Sequence, residues 1–274
     1  MWRFRGDGRT LTDGRIGIKV AHTLYTHKSS EPRRHRLISA EWKMYPVLVE
    51  HFTRSGMVVL QEWTTHQGRP DLVGVRIDWG AAERRRALGL ESSLSDPTML
   101  RAWRALAAPA QTMDEWARRL SVLPRTLKEP ARRLEAAGFV SGGAAGFSRR
   151  VELPRIVREL ICCEAKIDDW RAGVRQAHCH RFYAHRSYVA LARVPSTVDG
   201  DVLAARRLGL LAVDEAGVTV RRHAPALTPK PSLVLEKLEE ALWLRVVSPD
   251  LAGGRIRAMP GSGATGSASG RRSP

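Results

Sequence analysis

The chain has 274 residues, 43% hydrophobic and 27% charged, which suits one large or two modest globular domains with buried cores. No window holds the eighteen or more apolar residues of a membrane span, and the N-terminus lacks the apolar stretch of a signal peptide. Three cysteines make no disulfide framework, so a cytoplasmic protein away from the membrane is expected.

The formal charge of +17 is uneven: residues 97–150 hold ten basic and four acidic side chains, almost all the surplus of 37–250. Concentrated positive charge attracts phosphate, which favours a nucleic acid; the alternative is a solvated arginine surface.

Residues 1–36 carry glycines and scattered charge without a sustained period, and read as an extension. A helix is predicted from near Ser39, a candidate cap, into the fifties, with Trp42, Tyr45, Leu48, Val49 and Phe52 on one face. Pro46 inside it lacks an N–H and should kink it, and Gly56 ends it. MVVLQEW and DLVGVRIDW, separated by the turn-forming THQGRP, read as two strands.

The character changes over 97–153. TMLRAWRALA is an amphipathic helix, and TMDEWARRL follows with Thr112 as cap and Asp114 and Glu115 in its first turn, where the helix dipole favours them. RTLKEPARRLEAA places Leu127, Ala131 and Leu134 on one face and Arg125, Lys128, Arg132 and Arg133 elsewhere, with Pro130 bending it and Gly138 stopping it. FVSGGAAGFSRRVEL reads as two short strands around a glycine-rich tip, ending in Arg149 and Arg150. Three helices and a hairpin with a basic third helix form a winged helix-turn-helix pattern, which points to DNA contact through these six cations. The alternative is a packing module without nucleic-acid contact.

Further on, ICCEAKI reads as a strand, DWRAGVRQAHCHRFYA as a helix, SYVALA as a strand, VDGDVLAARRLG as a helix and LLAVDEAGVTVRR as a strand or hairpin. This alternation gives an α/β fold with a partly parallel sheet. SLVLEKLEEALWLRVV is the last helix, and the small polar tail 251–274 should be disordered. Trp170, Phe182 and Tyr183 are assigned to the core in preference to base stacking.

Only 7 of the 45 basic residues are lysines, so Lys166, two residues after Glu164, stands out. On a strand the two point to one face, with Cys163, Ala165 and Ile167 on the other. A carboxylate beside an ammonium can hold a hard divalent cation and its water, and a desolvated lysine, unlike arginine, can give up a proton near neutral pH. The alternative is an ion pair on a solvated strand. Asp71 supplies a second carboxylate, although turn chemistry also accounts for Asp after Pro70. Cys162, Cys163, His178, Cys179 and His180 do not have the spacing of a zinc site.

Pro70-Asp71 at the start of an apolar strand, then Glu164-x-Lys166 on the next strand, resembles the PD-(D/E)XK nuclease superfamily over 37–78 and 155–222. The resemblance implies a restriction-endonuclease-like mixed sheet flanked by helices, and hydrolysis of DNA phosphodiesters with Mg²⁺ or Mn²⁺. Asp71 and Glu164 would be metal ligands and Lys166 the catalytic lysine. Glu41 and Gln176 would be supporting residues, with His180 beside the site. Asp71 and Glu164 lie 93 residues apart, further than the family's usual spacing, and the winged-helix segment fills the excess as an insertion.

The organisation expected is therefore an extension 1–36, a nuclease-like core in two parts, 37–96 and 154–250, a winged-helix insertion 97–153, and a tail 251–274. The partners implied are DNA, a divalent metal ion and a second copy in a homodimer. The main rival is a non-catalytic DNA-binding regulator on the same scaffold; a third reading is an interaction module without DNA contact.

Overall fold

The computed structural model describes residues 19–20, 38–65, 68–106 and 110–247, so the expectations for the tail and for nearly all of the extension lie outside the described residues. After the short strand β1 (Lys19–Val20), a 3₁₀ turn over Glu41–Met44 runs directly into helix α1 (Tyr45–Arg54). Pro46 thus falls in the first turn of α1 instead of its interior, where its missing N–H breaks no helical bond. Ser39 does not cap the helix; its hydroxyl accepts from Lys43 Nζ. Gly56 follows the helix at φ +75° and turns the chain into β2 (Val58–Gln61).

Strand β3 (Leu72–Ile77) pairs antiparallel with β2 and ends at Asp78, whose side chain caps α2 (Trp79–Ala87) through the Ala81 N–H. Next come α3 (Pro97–Ala105), α4 (Met113–Leu120), α5 (Pro124–Ala136) and the hairpin β4–β5 (Val140–Gly143, Gly146–Arg149). Thr112 and Glu115 form a reciprocal capping box at the start of α4. These elements share a core of their own around Trp103, Trp116, Leu127, Leu134 and Phe139, in which the Trp116 ring N–H donates to the Ala102 carbonyl at 2.8 Å. Gln111 bridges Phe147 as a third strand position, so close that a side chain at Gly146 would meet its carbonyl oxygen.

The chain then forms β6 (Val157–Lys166), α6 (Trp170–His180), β7 (Arg186–Leu191), α7 (Gly200–Ala205), β8 (Gly209–Asp214), β9 (Gly217–Arg222) and α8 (Leu233–Leu242), which continues as a π turn over Trp243–Val247. The large sheet has the order β1-β2-β3-β6-β7-β8-β9; β6–β7 and β7–β8 are parallel and the other pairs antiparallel. Helix α1 packs on the face that includes Cys163 and Ala165. The other face carries α8 against Cys162 and Leu160, and α6 and α7 against Val189 and Leu191. The fold is therefore α/β, a mixed sheet flanked by helices. No helix among the described residues is long and apolar enough to cross a membrane.

The register decides what lies at each end of the sheet. Leu72 faces Cys163 and Ile77 faces Val157, so residues 78–156 leave and rejoin the sheet at one end of the β3–β6 pair. Asp71, Glu164 and Lys166 stand at the other end, six residues or about 20 Å along the strand. At the module's junction with the sheet, Arg85 forms a buried two-pronged pair with Glu240 at 2.7 and 2.9 Å. Arg104 pairs with Glu236 and Arg155 with Glu239, so α2, α3 and the segment before β6 are all tied to α8.

Candidate functional site

The singled-out residues gather in two places. The first is the end of the β3–β6 pair. Asp71, one residue before β3, accepts the Ala165 N–H on Oδ2 at 2.8 Å and the Tyr45 hydroxyl on Oδ1 at 3.0 Å. Lys166 Nζ lies 3.5 Å from Glu41 Oε2 and 3.9 Å from Asp71 Oδ2, and donates to the Ala165 carbonyl at 3.1 Å. Glu164 turns inward: it is buried, and its Oε1 lies 2.5 Å from His180 Nε2, while His180 Nδ1 lies 2.8 Å from the Tyr183 hydroxyl. Burial raises the Glu164 carboxyl above its ordinary range; the His180 bond opposes that and the Asp71 charge reinforces it. Burial, followed by the charge of Asp71, raises the Tyr45 hydroxyl. Gln176 is exposed on α6, whereas His180, one turn on, is buried against Glu164.

This arrangement overturns the metal reading. Among the described residues, no group of three or more His, Cys, Asp or Glu side chains is disposed to hold a metal ion. A hard cation needs several oxygen lone pairs converging on one opening. Here the two oxygens of Asp71 face an amide and a phenol, Glu164 faces an imidazole, and the Lys166 ammonium stands beside both Asp71 and Glu41. The expectations of Mg²⁺ or Mn²⁺ at Asp71 and Glu164, of a metal ion as partner and of metal-dependent phosphodiester hydrolysis are corrected accordingly. The cluster binds β3, β6, α1 and α6 to one another. Tyr45 and Tyr183, which the sequence presents only as apolar-face or core residues, are the groups that complete it.

The second place is α5. Arg125, Thr126 and Lys128 are exposed in its first half, and Arg125 and Lys128 form no ion pair among the described residues. Arg132 is held by Glu129 through two bonds of 2.8 and 2.9 Å, and Arg133 by Asp96 at 3.1 Å. Arg149 turns inward: it donates to the carbonyls of Trp103 and Arg104, pairs with Glu152 and lies over the Trp103 ring at 4.6 Å. Arg150 is exposed at the base of the hairpin, and the hairpin tip 143–146 carries no cation. Ser121, at φ +55°, makes the tight turn from α4 into α5, and Val122 and Leu123 are exposed beside it.

No family model matches the chain, and no curated protein matches it. Among solved structures it is similar to a protein of unknown function from Silicibacter pomeroyi, at 13% identity and a TM-score of 0.37, covering 80% of this chain and 97% of that one.

Proposed function

We propose that this chain is a non-catalytic DNA-binding protein. In this reading the segment 97–153 acts as a winged helix-turn-helix, and the mixed sheet, restriction-endonuclease-like in its element order, serves as a scaffold. The observation that carries it is the first half of α5, where Arg125 and Lys128 are exposed beside Thr126 and have no acidic partner among the described residues. In helix-turn-helix proteins the N-terminal half of the recognition helix enters the major groove, where arginine and lysine reach guanine edges or phosphates. Arg150, exposed at the foot of the wing, supplies a phosphate contact from outside the helix. Arg132 and Arg133 are neutralised in place, and the donors of Arg149 are spent inside the module, so these three contribute positioning more than free charge.

The experiment is duplex binding across a salt series, comparing wild type with Arg125→Ala/Lys128→Ala. Two lost phosphate contacts should lower the slope of log affinity against log salt by about 1.8. An unchanged slope and affinity would remove α5 from the interface.

A further inference from the structure

Helix α6 carries a second basic surface that the winged-helix reading does not use. Arg171, Arg175, His178 and Phe182 recur at intervals of four, three and four residues, which places them on one face of the helix and its extension. Phe182 is 59% exposed, unlike the core residue expected from the sequence. Its ring is flanked by the Arg181 guanidinium at 5.7 Å and by the His178 ring edge-on at 6.2 Å. Arg181 also donates to the Arg206 carbonyl at the end of α7, which brings Arg206 and the exposed Arg207 alongside. His178 is held below its ordinary range first by burial and then by the neighbouring charges of Arg181 and Arg206.

The acids next to these residues in the sequence are engaged elsewhere. Residues 170–182 contain none; Asp168 pairs with Arg193 at 3.0 Å, and Asp169 caps α6 through the Ala172 N–H. On α7, Asp199 and Asp201 belong to the first turn, at the end opposite Arg206 and Arg207. An exposed aromatic ring set among arginines is the combination that holds an unpaired strand, with bases stacking on the ring and phosphates meeting the cations. In a duplex the bases are already stacked and their faces cannot reach a ring on a helix surface. Arg171 and Arg175 stand about 6 Å apart along the helix axis, so both can serve one strand.

We propose that α6 and the end of α7 form a binding site for single-stranded DNA, with Phe182 as stacking platform and Arg171, Arg175, Arg206 and Arg207 as phosphate contacts. The inference shares with the winged-helix reading only the class of partner, since it draws on none of the same residues.

The test measures anisotropy of the full chain with a labelled 20-nucleotide oligothymidylate and, in parallel, a 20-base-pair duplex. Phe182→Ala should weaken single-strand binding at least about fivefold, and Phe182→Trp should retain it. Arg171→Ala/Arg175→Ala should lower the single-strand salt slope by about 1.4. The ratio of single-strand to duplex affinity should fall in both the Phe182→Ala and the double-arginine variants. An unchanged ratio, or single-strand binding lost in Arg125→Ala/Lys128→Ala but kept in the α6 variants, would overturn the site. Duplex binding that ignores the α5 variants would defeat the winged-helix reading alone.

Discussion

Glu164 shows how one side chain's surroundings decide its chemistry. A buried carboxylate is costly unless it is bonded, and this one has His180 at 2.5 Å. Burial still holds its folded proton affinity above the ordinary value of 4.5. A carboxyl raised on folding contributes stability that is fully present below its unfolded value and lost as pH rises through the folded one. Glu164→Gln removes that contribution. The melting temperature of wild type minus that of Glu164→Gln should therefore be most favourable near pH 4 and shrink as pH rises above 4.5; a difference that grows with pH would contradict this. The sequence makes Glu164 and Lys166 conspicuous through a rare lysine, and their shared strand face follows from spacing alone. It does not reveal where the carboxylate lone pairs point, because His180 reaches Glu164, and Tyr45 reaches Asp71, only through tertiary packing.

Helix α5 shows how an element can be read from the sequence while its energetics stay hidden. Its apolar face, Leu127, Ala131 and Leu134, is buried as the periodicity requires, and Gly138 takes the positive φ that ends it. Pro130 remains inside the helix and leaves the Thr126 carbonyl without its usual donor. Pro130→Ala should therefore stabilise the protein, by up to about 3 kcal/mol, read from urea unfolding; a lower midpoint would mean that the proline ring contributes packing that outweighs the missing bond.

Asp96 acts on the same helix from outside. Burial acts to raise its carboxyl, but the Thr98 and Met99 amides and Arg133 outweigh that and hold it below its ordinary range. Asp96→Asn keeps a capping side chain for α3 but frees Arg133. Duplex binding should then strengthen and its salt slope steepen by about 0.9, the contribution of one new phosphate contact. A slope no steeper than that of wild type would place Arg133 away from the DNA. Such pairings are invisible in the sequence, since Asp96 lies 37 residues before its partner. Pro46 is a similar case: its helix is legible, but the 3₁₀ turn that moves it into the first turn is not.

At the scale of the whole molecule, the sheet register reconciles two carboxyl residues 93 positions apart with a module inserted between them. Alternation of strand and helix patterns makes the α/β class readable, and the charge concentration marks the module. The register itself depends on which strands pair, and it puts the insertion at the sheet end opposite Asp71 and Lys166. The segment that carries α5 leaves the sheet at the end of the β3–β6 pair opposite the lysine–carboxylate cluster, so the proposed DNA contact draws on none of that cluster's residues. Lys166→Met should destabilise the chain by about 1–3 kcal/mol, because Glu41 and Asp71 lose their shared cation, and should leave duplex affinity unaltered.

The most direct measurement titrates one duplex in EDTA with wild type, Lys166→Met and Arg125→Ala/Lys128→Ala at several salt concentrations. Equal binding by wild type and Lys166→Met, with a weaker and less salt-dependent response from the α5 variant, is the predicted result. Loss of binding in Lys166→Met with the α5 variant unimpaired would contradict the account.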